Sequence, residues 1–250
     1  IQPWWHMVGA YHEDRRMYHT AGPFLKWHKA NKAFLIDRQP VATVGVVWSQ
    51  ENTDFYGRDQ ARELVDLPWQ GITEALIRAH IPYLPVHADH IDRDAAQFSL
   101  LILPNLALMT DDQVAAVKRF VERGGSLLAT DETSLFDEEG DIRKDYALNG
   151  LFGAHAPDVN EKAPAEKGTR HTYFRLTPEL RSRMEGPHNG QEPPVTGDRH
   201  PVLNGFSETD ILPYGGLLKM LKTDPGVEIP LTFIPEFPIY PPETAWMRVP

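Results

Sequence analysis

"FSLLILPNLALMTDDQVAAVKRFVERGGSLLAT", residues 98–130, decides the fold. Leu100 to Leu103 form an apolar run without polar alternation, the pattern of a strand buried on both faces. Thr110 and Gln113 have the spacing of a capping box, Val114, Val117, Phe120 and Val121 make one helical stripe, and Gly124-Gly125 ends it. "SLLAT" then reads as a second strand. A strand, a helix and a strand in such quick succession predict a right-handed crossover between parallel strands.

The same alternation extends upstream. Val44 to Trp48, in "DRQPVATVGVVWSQ", is a continuous apolar run that predicts a buried strand behind a polar, proline-containing joint. "LPWQGITEALIRAH" reads as a helix and "IPYLPV" as a short strand. Together these segments predict an α/β fold, a flavodoxin-like doubly wound parallel sheet, in a domain spanning residues 39–250. Periodicity is lost in "APDVNEKAPAEKGTRH" and "SRMEGPHNGQEPPVTGDRHPVLNG", which predict excursions near 155–170 and 182–204. "HTYFRL" and "IPLTFIPEF" are strand candidates, with prolines that suit sheet edges.

Ahead of this domain, Phe24, Trp27, His28, Asn31 and Leu35 recur at helical spacing after Gly22-Pro23, which predicts a helix over 22–36. "IQPWWHMVGAYHEDRR" reads as a buried strand and a charged turn with no initiator Met, so a preceding segment is expected. "ETAWMRVP" stops without a closing element, so the other end reads as cut too.

Composition narrows the function classes. With 41% hydrophobic and 24% charged residues, the chain should fold as an ordinary globular protein. A net charge of -10 argues against nucleic acid and anionic membranes as partners, because phosphate binding rests on concentrated Lys and Arg. The absence of Cys excludes disulfides and thiol nucleophiles and fits a cytoplasmic, reducing setting. No apolar run approaches the ~20 residues that span a bilayer. No cofactor is called for, since the single Gly of "SQENTDFYGRD" is not a phosphate-binding fingerprint.

Four stretches carry candidate chemistry. In "GGSLLATDETS" the turn Asp131-Glu132-Thr133 occupies the strand end where an amidotransferase-like fold places its nucleophile; Glu132 is either a position with a new role or part of a polar turn. "SQENTDFYGRD" follows the first strand of the domain, where loops line the ligand crevice, so Asn52, Asp54 and Tyr56 are candidates for ligand or interface contact. "PVHADHIDRD" holds His87 and His90 among aspartates but matches no established metal spacing, and Asp92 and Asp94 suit the start of a helix over "AAQFS"; no metal is assigned. The proline-rich tail could present Glu243, Trp246 and Arg248 to a pocket or interface, or pack as a rigid connector.

"PWWHMVG", "WHKANKAFLIDRQPVATVGVVWSQENTDFYGRD", "PVHADHIDRD", the stretch from "FSLLILPN" to "LFDEEGD" and "PEFPIYPPETAWMR" together resemble bacterial glycoside hydrolases related to the family-42 beta-galactosidases, over nearly the whole chain. The resemblance implies a (β/α)8 catalytic barrel followed by a trimerisation domain with a class I glutamine amidotransferase-like fold. Residues 1–38 would then be the terminal strand and helix of the barrel, and Trp4, Trp5 and His6 would line its sugar pocket, the indoles stacking on a pyranose. The catalytic carboxylate pair would come from earlier barrel strands, so this chain is expected to lack glycosidase activity by itself. Its role would be to assemble homotrimers of a carbohydrate hydrolase. The competing reading is a stand-alone binding or scaffold module of the same fold. An exposed apolar face along Trp4, Phe24 and Trp27 favours the first reading; a stable monomer with residues 1–38 packed as an integral layer favours the second.

Overall fold

The computed structural model describes residues 16–157, 172–177, 199–207, 209–214 and 221–234. The chain divides into two compact units, Ile1–Ala42 and Thr43–Pro250.

In the first unit, helix α1 runs Arg16–Ala30, followed by a 3-10 turn at Lys32–Phe34. The helix therefore begins earlier than the Gly22-Pro23 signal implied and stops short of residue 36. Pro23 lies within it, because its fixed φ is helical even though it cannot donate to the carbonyl four residues back. Asn31 follows its last residue, and its backbone N–H and its Nδ2 both donate to the Trp27 carbonyl, at 3.0 and 2.8 Å. Phe24 and Trp27 are 52% and 55% exposed, with ring centroids 6.5 Å apart.

The second unit is built on a parallel sheet of β1 (Val44–Trp48), β2 (Tyr83–His87), β3 (Leu100–Leu103) and β4 (Ser126–Ala129), in the order β2-β1-β3-β4. Val46 of β1 pairs with Pro85 of β2 and Ile102 of β3. An α/β unit with this parallel sheet is compatible with the expected flavodoxin-like fold. Helix α2 (Leu67–Arg78) brings Leu76, Trp69 and Ile72 onto Val44, Val46 and Ile102. On the other face Gly45 lies under Leu101, Phe98 and Val86, and α4 (Asp111–Glu122) buries Val114, Val117 and Phe120. Right-handed crossovers place α2 and α4 on opposite sides of the sheet. Val44 to Val47 of β1 and Leu101 to Leu103 of β3 are thus buried on both faces, as their apolar runs required, whereas Trp48 at the end of β1 is exposed.

Thr110 caps α4 through the expected box, accepting from Gln113 N at 3.2 Å while Gln113 Oε1 accepts from Thr110 N at 3.2 Å. Between β2 and β3, helix α3 is Ile91–Asp94 and a 3-10 turn covers Ala95–Gln97. Asp92 and Asp94 therefore lie inside the helical segment rather than starting one over "AAQFS": Asp92 pairs with Arg119 of α4, and Asp94 with Arg93.

After β4 come α5 (Asn149–Phe152) and β5 (Ala154–His155), then β6 (Thr172–Leu176), β7 (Ile211–Tyr214), β8 (Lys222–Thr223) and β9 (Leu231–Ile234). β5 pairs with β8, and β6 is the centre of an antiparallel sheet of order β7-β6-β9. The strand expected in "HTYFRL" takes the central place, while Pro213 sits on edge strand β7, where a missing ladder donor is tolerated. Among the described residues no helix is long and apolar enough to cross a membrane.

Candidate functional site

Chain reversals after β1, β3 and β4 meet at the carboxyl end of the sheet. Beyond Trp48 the chain does not form an open loop; it winds through π-helical turns, Asn52–Gly57 and Arg62–Asp66, directly into α2. Asn52 is 1% exposed and uses both ends of its amide: Nδ2 donates to the Asn105 carbonyl at 3.0 Å, and Oδ1 accepts from Leu108 N at 2.9 Å. Asn52 therefore stitches β1 to the segment after β3.

Asn105 is the hub. Its backbone lies in the left-handed region (φ 44°), which Asn tolerates better than most residues. Its Nδ2 donates to the Leu64 carbonyl at 2.7 Å and to Tyr56 Oη at 3.2 Å, and its Oδ1 accepts from Glu132 N at 3.1 Å. Tyr56 Oη in turn donates to Glu132 Oε2 at 2.6 Å. Burial, together with the hydrogen bond to the Glu132 carboxylate, pushes the Tyr56 phenol far above its ordinary value. The turn carrying Glu132 is tight, with Asp131 and Ser134 at φ 53° and 67°, and Thr133 Oγ1 donates to the carbonyls of Thr130 and Leu103 within hydrogen-bonding distance.

Of the residues expected from sequence to contact something at this end, Asn52, Tyr56 and Glu132 come together in this network. Asp54 does not: it is exposed and accepts from Gln50 Nε2 at 3.0 Å. Trp4, Trp5, His6, Glu243, Trp246 and Arg248 lie outside the described residues. Asn105 was missed. Its signal was the Pro-Asn pair at the carboxyl end of a buried strand, a position made for a sharp reversal. Chemically the network holds a neutral phenol on a carboxylate and fixes three turns against one another.

Beside it opens a cavity of about 450 Å³ with Trp48, Trp69, Pro85, Pro104 and Asn52 among the residues that line it. His87, whose ring meets Trp48 edge-on at 4.7 Å and His90 at 5.2 Å, accepts from Asp89 N at 3.3 Å through Nδ1. Among the described residues no group of three or more His, Asp and Glu could hold a metal ion.

The fold seen here recurs in solved structures. The beta-galactosidase from Bacillus circulans sp. alkalophilus superposes with a TM-score of 0.64 over 90% of this chain at 16% identity. That from Rahnella sp. R3 gives 0.60 over 90% at 14% identity. This chain spans 30% and 29% of those two chains. No curated protein matches the sequence. The sequence family described as "Beta-galactosidase trimerisation domain" matches residues 42–172, more than half of the chain and all of its parallel sheet. The chain therefore belongs to the beta-galactosidase trimerisation domain family.

Proposed function

We propose that this chain is the assembly part of a beta-galactosidase-like glycoside hydrolase, whose trimerisation domain holds neighbouring catalytic barrels together. The observation that carries this reading is the family match over residues 42–172. The closed, fully engaged network of Asn52, Tyr56, Asn105 and Glu132 supports it, because these residues hold the turns of the sheet end in place rather than presenting a nucleophile. On this reading residues 1–38 are the terminal strand and helix of the barrel, with Trp4, Trp5 and His6 towards its sugar. The exposure of Phe24 and Trp27 on α1 supports that assignment, since contiguous apolar surface of this kind marks a contact. The two catalytic carboxylates then belong to other barrel strands, and the chain alone has no glycosidase activity. A cytoplasmic setting fits the cysteine-free sequence.

The test is the mass in solution, by size exclusion with light scattering over a range of protein concentrations. A trimer is expected. A monodisperse monomer at every concentration would put the stand-alone module ahead.

A further inference from the structure

We infer that the cavity between Trp48 and Trp69 is a binding site for a neutral, ring-shaped polyhydroxylated ligand of the monosaccharide class. It is independent of the assembly reading.

Position is the first ground. In the order β2-β1-β3-β4 the crossover from β1 leads to one side and the chain then passes over β1 to β3, so the strand order reverses between β1 and β3. Open α/β sheets bind ligands in the crevice outside the carboxyl ends of the strands at that reversal. The cavity lies there, against Trp48 at the end of β1 and Pro104 just after β3. Its volume of about 450 Å³ is within the range of small-molecule sites.

The second ground is an unmet hydrogen-bond donor. Nε1 of Trp69, a residue of the cavity wall, is buried and has no acceptor. Buried donors are nearly always paired, so one without a partner calls for an acceptor from elsewhere. That nitrogen is shielded from the cavity in this structure, so a ligand hydroxyl or ring oxygen would reach it only if the indole turned towards the cavity.

Chemistry of the walls sets the class. Among the described residues that line the cavity none is Lys, Arg or His, and the one carboxylate is Asp66. Phosphates and carboxylates would find no counter-charge. Two indoles and two proline rings give flat apolar surfaces, while Ser49, Thr53 and Gln70 add uncharged polar groups. A pyranose, with an apolar C–H face and a rim of hydroxyls, matches this combination.

The experiment follows the tryptophan indole N–H signals of the full chain by NMR during titration with D-galactose and D-glucose, with glucose 6-phosphate as the charged control. Saturable movement of the Trp48 and Trp69 signals is expected with at least one neutral sugar, in the millimolar range, and weaker binding of the phosphate. Trp69→Phe keeps a ring but removes the donor, and should weaken binding roughly three- to tenfold. Because Trp69 also packs on the core, Trp48→Ala provides a second variant at a half-exposed ring; it should abolish the saturable shift of the Trp69 signal. The inference is overturned if neither signal moves in the unmodified chain, if the phosphate binds as well as the neutral sugars, or if folded Trp48→Ala binds unchanged.

Discussion

Tyr56 and Glu132, 76 residues apart in sequence, are joined by a 2.6 Å hydrogen bond that ties the turn after β1 to the turn after β4. Asn105, from the turn after β3, completes the junction by donating to the same phenol. Three strand ends are thereby fixed by side chains, beyond the backbone ladder of the sheet.

Tyr56→Phe removes the donor and leaves a half-buried carboxylate short of a partner. A loss of about 1–3 kcal/mol is expected, because an unmet buried acceptor costs more than the bond itself contributed. Denaturant melts check this, with Glu132→Gln, which can still accept, as the milder comparison. The raised phenol value also fixes a sign: the neutral form is favoured in the folded state, so this contribution is complete below the ordinary value of 10.0 and is lost as pH rises above it. In an ultraviolet titration Tyr56 should ionise only well above its ordinary value.

Gly45→Ala should destabilise the sheet. A Cβ there would stand 2.7 Å from Leu101 Cδ2, 2.8 Å from Phe98 Cδ2 and 3.0 Å from Val86 Cγ2, between two neighbouring strands. Overpacking of this kind costs about 1–3 kcal/mol. A thermal melt no lower than that of the unmodified chain would contradict the packing described.

His155 bridges two aspartates, with Nδ1 2.6 Å from Asp145 Oδ2 and Nε2 3.1 Å from Asp224 Oδ1. Both ring nitrogens can donate only in the imidazolium. The hydrogen bond to Asp145, then that to Asp224, raises the histidine above 6.5. Asp145 is pushed up by desolvation, but hydrogen bonds from His155, Asn149 and the N–H groups of Ala156 and Tyr146 outweigh this and hold it well below 3.8. The histidine contribution is therefore complete below 6.5 and lost as pH rises through its raised value; the aspartate contribution is present above 3.8 and lost as pH falls below it. His155→Gln should lower the melting temperature more in mildly acidic than in alkaline buffer. Equal losses at both would show that the bridge is not charged.

Gln113 serves two partners, closing the α4 cap through Oε1 and donating to Asp89 Oδ1 at 2.7 Å through Nε2. Thr110→Ala breaks the cap alone, for about 0.5–2 kcal/mol. Gln113→Ala breaks both interactions and should cost more in paired chemical denaturation curves.

Sequence alone determined the parallel sheet, because its information is local: apolar runs at Val44–Trp48 and Leu100–Leu103 demand burial on both faces, and the Thr110–Gln113 cap and the stripe of α4 specify a helix within a few residues. It failed at α1, where Pro23 resembled a helix start yet lies within the helix, and where the helix stops at Ala30 rather than at residue 36. It also could not tell that Asn52 faces inward, or that Asn105 joins Tyr56 to Glu132. Tertiary structure decided those contacts. A hydrogen bond across 76 residues leaves no periodic trace, and whether an amide meets a ligand or another turn depends on which strand ends the sheet order brings together.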